Sequence, residues 1–301
     1  MADVLRRFLL QGAAVRGEIV SLTAAWQAIV ARNPIAAPVR DRLGELCAAA
    51  LLLSASLKFD GALVLQIHGD GPVALLVVEC GSDAAFRATV TLREGARIEP
   101  GASIGELVNA GGNGRFVVTL DPRDRSSGQQ PYQGIVPFEG ETVGELLERY
   151  MQRSEQVPTR LWLAADGERA VGLLLQRLAS DGGRGAADAD GWNRMQALAD
   201  TITRDELLSL QPDQVLKRLF WQEPLHAFDS RQPRFECRCS RAKVAGMLRA
   251  LGRSEAESIV ADEGAIRVTC EFCNTVYEFD AIDSARLFLS ELEPPGSPAR
   301  H

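Results

Sequence analysis

Apolar positions follow two rhythms along this chain. Up to about residue 180, short runs rich in β-branched and aromatic residues are closed off by turn formers, which predicts strands at Ala62–Ile67, Val73–Val78, Phe86–Val90, Phe116–Leu120 and Arg160–Leu163. Helical spacing appears between them. Pro38–Leu57 repeats apolar residues every three to four positions, and Thr142-Val143-Gly144-Glu145 has the form of a capping box opening a helix through Tyr150. Strands grouped in runs with helices set apart predict an α+β fold whose N-terminal α/β core domain occupies residues 1–180.

From Ser180 to Asp190 the chain turns to Gly, Ala, Asp and Arg, too little apolar surface to order itself, and a domain boundary is expected there. Helical signals then dominate. Met195–Ile202 is periodic, Thr203-Arg204-Asp205-Glu206 is a second capping box before Leu207-Leu208, and Pro212 suits a first helical position before Val215-Leu216 and Leu219-Phe220. Residues 181–235 are expected to form a helical, metastable linker, with Pro224 and Pro233 bracketing an irregular stretch. A C-terminal metal-binding domain is expected over 236–290, and the Pro-rich residues 291–301 form an expected disordered tail.

The chemistry sits in that last domain. Cys237-Arg238-Cys239 and Cys270-Glu271-Phe272-Cys273 are close pairs separated by 30 residues, the arrangement that folds two knuckles together and offers four thiolates to one zinc ion. Between the pairs, Ser240 can cap a helix carrying Val244, Met247, Leu248 and Leu251 that Gly252 ends. Ser254-Glu255-Ala256-Glu257 opens another, and Glu263-Gly264 turns into a strand over Ala265–Cys270 paired with Thr275–Phe279. Asn274 stands where the knuckle needs a left-handed residue.

Four thiolates leave no open coordination position, so hydrolytic zinc chemistry is not expected. Two roles remain open on spacing alone: a staple for a domain too small to hold itself, or a redox centre whose metal-bound thiolates stay open to strong oxidants. A thioredoxin-like use of Cys270 and Cys273 is disfavoured, because their pair lies between two predicted strands and not at a helix N-terminus.

Charge narrows the partners. The net charge is -7, and from Cys237 onward 8 Lys and Arg face 10 Asp and Glu, so a phosphate backbone would be repelled. No nucleic-acid partner is expected. The apolar stretches are too short to span a bilayer, and charge interrupts the first residues, so neither a membrane partner nor a signal peptide is expected. Six cysteines in a chain without an expected secretory signal then point to a reducing, cytoplasmic setting.

Other candidates read as structure. Cys47 and Cys80 lie in apolar surroundings as packing residues, and His68, His226 and His301 have no nucleophile near them in sequence. Gly111-Gly112-Asn113-Gly114 lacks the Lys-Ser/Thr of a phosphate loop and is expected to be a tight turn, as are Lys58-Phe59-Asp60-Gly61 and Gly69-Asp70-Gly71-Pro72. No catalytic residue, and no enzyme, is expected.

Taken in order, Val15-Arg16-Gly17-Glu18, Leu57-Lys58-Phe59-Asp60-Gly61, Gly69-Asp70-Gly71-Pro72, Tyr132-Gln133-Gly134-Ile135-Val136, Ser154-Glu155-Gln156-Val157-Pro158-Thr159 and the two cysteine pairs resemble the heat-shock protein 33 family, also called the 33 kDa chaperonin. That resemblance implies a redox-regulated, ATP-independent holdase chaperone of the oxidative stress response. In the implied cycle the reduced form carries one zinc per chain on Cys237, Cys239, Cys270 and Cys273 and is inactive. Oxidation forms Cys237–Cys239 and Cys270–Cys273 disulfides, zinc leaves, the linker unfolds, and a homodimer binds unfolding client proteins. The rival class is an acidic zinc-ribbon regulatory or nucleic-acid-associated protein.

Overall fold

The computed structural model describes residues 2–32, 34–57, 60–123, 130–178 and 190–289. Lys58 and Phe59 of one expected turn, most of the expected boundary at 180–190, His301 and the expected tail of 291–301 lie outside them. The fold is mixed α and β, in two compact units, one reaching Glu236 and one beginning at Cys237.

In chain order the first unit contains β1 (Val4–Leu10), β2 (Val15–Leu22), α1 (Ala24–Val30), α2 (Ala37–Ser56), β3 (Gly61–His68), β4 (Val73–Gly81), β5 (Ala85–Leu92), α3 (Ile104–Val108), β6 (Arg115–Pro122) and β7 (Tyr132–Pro137). It continues through α4 (Val143–Tyr150), β8 (Thr159–Ala165), β9 (Ala170–Arg177), α5 (Gly191–Ala199), α6 (Arg204–Ser209), α7 (Pro212–Phe220), β10 (Leu225–Ala227) and β11 (Arg234–Phe235). One sheet runs β10-β1-β2-β9-β8 and the other β11-β5-β4-β3-β6-β7. All pairings are antiparallel except β11 with β5, which is parallel.

Helix α2 lies in the main core, packed among residues of both sheets. Of its 20 residues 14 are buried, and a helix that is apolar all round belongs in an interior. It shares a core with Val20, Leu22 and Leu174 of the first sheet and Leu63, Leu65, Ile67 and Val78 of the second. Cys47 and Cys80 are fully buried there, as the sequence indicates.

The opposite face of the first sheet is covered by α5, α6 and α7. Phe8, Leu10, Val15, Ile19, Val171, Leu173 and Leu175 meet Met195, Ala199, Ile202, Leu207, Val215, Leu216, Leu219 and Phe220 in a second core. Strand alternation makes this possible: in β9, Leu174 enters the α2 core while Leu173 and Leu175 face the helices. The Thr203 box forms as expected, with Glu206 N donating to Thr203 Oγ1 at 3.2 Å and Thr203 N donating to Glu206 Oε2 at 2.9 Å. The Thr142 box is half made. Glu145 N donates to Thr142 Oγ1, but Glu145 Oε2 accepts from Glu141 N, one residue earlier than a box requires.

The stretch after α7 is not irregular throughout. Immediately after Pro224 and Pro233 it supplies a short edge strand to each sheet, β10 beside β1 and β11 beside β5, and Pro suits the entry to an edge strand. The glycine motifs also resolve as structure. A Cβ on Gly71 would sit 2.6 Å from Leu107 O, and Asp70 accepts N–H bonds from Gly111 (3.1 Å) and Asn113 (2.8 Å), so the two expected turns clasp each other.

Glu18 of β2 is 2% exposed, and its Oε2 has no hydrogen-bond partner among the described residues. Burial raises its pKa from 4.5 to about 7 against the pull of Arg16 and Arg7. The folded state therefore binds the proton more tightly than the unfolded chain, and stability falls as pH rises from 4.5 through 7, with the full penalty present above 7. A shift of this size corresponds to roughly 3 kcal/mol. Between pH 5 and pH 8, Glu18→Gln should lose less stability in urea unfolding than the parent chain; parallel pH profiles would show that the carboxyl is not charged at a cost.

Candidate metal centre

The second unit is small: α8 (Arg241–Leu251), α9 (Arg253–Glu263), β12 (Ile266–Thr269), β13 (Val276–Phe279) and α10 (Ala281–Leu289). Among the described residues its buried apolar side chains are Ala245, Leu248, Ala256, Ala265, Ile266, Phe279, Leu287 and Phe288. Ser240 caps α8 as expected, accepting from Lys243 N at 3.3 Å. The expected cap at Ser254 is not used. Gly252, at φ 101°, ends α8 and starts α9 directly, so α9 begins at Arg253 with no side-chain cap. Helix α10 closes the small core with Leu287 and Phe288, and Arg241 ties it in by pairing with Asp283 at 2.5 Å, donating to Glu278 O and lying over the Phe279 ring.

Each cysteine pair is held by the element beside it. Cys237 and Cys239 ride on the segment entering α8, where Lys243 Nζ donates to Arg238 O at 2.7 Å. Cys270 and Cys273 sit on the knuckle between β12 and β13. There Cys270 N donates to Thr275 O at 3.0 Å, Asn274 N donates to Cys270 O at 2.8 Å, and Asn274 takes the expected left-handed conformation at φ 58°.

These placements bring all four sulfurs within 4.8 Å of one another, each half-buried. Cys237 Sγ lies 3.6 Å from Cys270 Sγ and Cys239 Sγ 3.4 Å from Cys273 Sγ. A tetrahedron of sulfurs about 2.3 Å from one ion has edges of about 3.8 Å. The donor set thus fits a thiolate-bound metal in both size and chemistry.

At Cys239 a hydrogen bond from Tyr277 Oη at 3.0 Å favours the thiolate, yet burial and the adjoining thiols hold its pKa up at about 12. Cys273 goes the other way: burial opposes its thiolate, but hydrogen bonds from Thr275 and from Cys239 and Cys237 bring it down to about 6. Cys270 is raised by burial, although the N–H groups of Phe272 and Cys273 favour its anion. Four thiolates in this space require a cation between them.

Tyr277 and Thr275 were not visible as functional residues in the sequence. Tyr277 follows the second pair by four residues in the expected strand, where an aromatic residue is ordinary. Elsewhere, His68 ends β3 and His226 lies in β10 with its ring against Phe228. No helix among the described residues is long and apolar enough to cross a membrane.

Similarity to known proteins extends over the whole chain. The model of the family described as Hsp33 protein matches residues 3–280. The 33 kDa chaperonin of Methylobacillus flagellatus is 46% identical over 302 residues, covering 100% of this chain and 99% of its own; that of Chromobacterium violaceum is 42% identical over 99% of this chain and 98% of its own. A solved structure, the 33 kDa chaperonin (heat shock protein 33 homolog) of Thermotoga maritima, shares the fold with a TM-score of 0.79 at 20% identity, over 97% of this chain and 99% of that one. With one family match running from β1 to the strand after the second cysteine pair, and full-length relatives above 40% identity, the chain belongs to the Hsp33 family.

Proposed function

We propose that this protein is a cytoplasmic, ATP-independent holdase for unfolding proteins, switched on by oxidation of its tetrathiol centre. The convergence of Cys237, Cys239, Cys270 and Cys273 on one point carries the reading. In the reduced protein these four residues hold one zinc ion, whose charge stabilises all four as thiolates; an all-sulfur tetrahedral donor set favours zinc among common divalent ions.

Oxidation pairs Cys237 with Cys239 and Cys270 with Cys273. Each bond forms as two electrons leave a thiolate pair; one hydrogen peroxide accepts them and, with two protons from solvent, leaves as two waters. Disulfide sulfurs are no longer anionic donors, so the metal's ligands are lost. Every sulfur in a tetrahedral set adjoins the other three, so proximity does not select partners; the choice of sequence neighbours follows the family resemblance. The Cys237–Cys239 ring is the shorter and the easier to reduce.

The chain itself supplies a route from the thiols to the linker. Cys237 directly follows Glu236, whose N–H donates to Phe86 O at 3.0 Å at the end of the two-residue strand β11. Loss of that strand frees one end of residues 181–235. Helices of nine, six and nine residues, α5 to α7 hold their form through packing, and their departure uncovers the Phe8, Leu10, Val15, Ile19, Leu173 and Leu175 face for clients and for a second copy of the chain.

Suppression of aggregation of a thermally unfolding client should be absent in thiol reductant and appear after peroxide treatment, together with zinc release and dimer formation. Peptide mapping dominated by cross-pairs such as Cys239 with Cys270 would remove the proposed pairing. A chain ending at Glu236 should hold clients in reductant; if it stays inactive, the centre is only a staple.

A further inference from the structure

The layer formed by α5, α6 and α7 is fastened to the rest of the first unit by polar groups as well as by packing, and these fastenings differ in burial. Arg6 with Asp213, Arg160 with Asp200 and Arg204 with Asp41 each pair an exposed partner, with side-chain exposures of 70%, 50% and 51% for Asp213, Asp200 and Arg204. Exposed pairs of this kind hold little. Arg169 is different: it is 7% exposed, and none of its hydrogen bonds goes to a carboxylate.

Its guanidinium donates to Leu208 O, to Leu210 O at 3.3 Å and to Ser21 Oγ at 2.9 Å. Leu208 is in the last turn of α6 and Leu210 caps it, so these carbonyls have lost their helical donors at the junction leading into α7. Arg169 itself stands on the tight turn between β8 and β9. Asp166 Oδ1 accepts from Glu168 N and Arg169 N, both at 2.8 Å, and Trp26 Nε1 donates to Asp166 O at 2.8 Å, fixing the turn to the main core. Nε of Arg169 is buried without a hydrogen-bond partner among the described residues, and the cost of burying this cation is offset by the nearby Asp166 carboxylate, the Ser21 hydroxyl and the two carbonyls of the α6–α7 junction, of which only the carbonyls belong to the layer. Those carbonyls are in reach only while the layer is closed.

We propose that Arg169 is the latch of the α5–α7 layer: a positioning residue whose buried guanidinium keeps the junction docked, so that its removal opens the layer while the thiols stay reduced. The assignment rests on the reading that opening this layer is what activates the protein, but its own test does not need client binding. A latch has to be strong in the closed state and worthless once opened. Backbone carbonyls on the mobile side meet that requirement better than a carboxylate, because they reseal with solvent and leave no unpaired charge behind on the linker.

Amide hydrogen exchange of the full-length, reduced, zinc-loaded protein decides it. In Arg169→Met, amides of 204–220 should exchange about tenfold or more faster than in the parent, with β3 to β6 and residues 237–289 unchanged. Arg169→Lys, which keeps the charge but reaches fewer carbonyls, should fall between the two, and Arg160→Ala should stay near the parent. Parent-like protection of 204–220 in Arg169→Met overturns the latch, as does uniform acceleration over the whole first unit. If the Met variant does not fold, parent-like exchange in Arg169→Lys overturns it as well. Oxidant-dependent holding of clients by the parent chain tests the underlying reading separately, so either can fail alone.

Discussion

Replacing Phe220 by alanine is expected to make the reduced protein hold unfolding clients without oxidant. Phe220 is 2% exposed near the end of α7, with its ring centroid 6.0 Å from that of Phe8 on β1. Truncating a buried phenylalanine costs about 3–5 kcal/mol through lost transfer energy and the cavity left behind. That loss falls on a layer of three helices too short to survive alone, while the α2 core between the sheets is untouched. The balance therefore tips toward a first unit with its sheets intact and its outer layer open. Aggregation suppression in reductant, with faster amide exchange confined to 191–227, is the expected pair of results. Phe116→Ala is the informative contrast, because Phe116 belongs to the α2 core and its loss should destabilise the unit as a whole with no gain in client holding. Equal behaviour of the two variants would mean that the layer does not open separately.

How much of this was legible in the sequence depends on how each element is buried. β3 alternates buried and half-buried residues along its length and was read correctly, as were α2 and the apolar stripes of α6 and α7. β2 and β9 were missed. Both are covered on both faces, so all but the last residue of β9 is buried and no period of two survives to be recognised. β1 was missed for another reason: Arg6 and Arg7 interrupt its apolar run, and only the structure shows Arg6 reaching Asp213. β10 and β11, three and two residues long, carry no pattern, yet they join the linker to both sheets. The cysteine centre was legible because four thiols at that spacing have few other uses. Its hydrogen-bonding neighbours were not, and neither was Arg169, whose acceptors on the layer are the backbone carbonyls of Leu208 and Leu210, groups that any residue type there would have carried.

The largest expected effect belongs to the metal. Taking zinc away should unfold residues 237–289 while the two sheets of the first unit persist. Among its described residues the second unit buries eight apolar side chains, three of them alanines and only two aromatic, with one two-stranded sheet, and a core of that size does not support an independent domain. Structural zinc bound by thiolates contributes about 10–16 kcal/mol near neutral pH, more than such a core can replace. Cys270→Ser removes one of the four thiolates while leaving the knuckle's backbone bonds to Thr275 and Asn274 available, so a fall in local folding that accompanies the fall in metal affinity is due to the lost metal. Metal analysis of the reduced parent should find one zinc per chain, and of the variant far less. Exchange protection of β12 and β13 should vanish in the variant and in chelator-treated parent alike. Protection that survived metal loss would show that the small core folds unaided and that the four thiols are not its staple. The first unit provides the internal control, since β3 to β6 should keep the same protection with and without zinc. If those strands lost protection too, the two units would share one cooperative transition, and oxidation could not open a client-binding surface while leaving the scaffold that presents it standing.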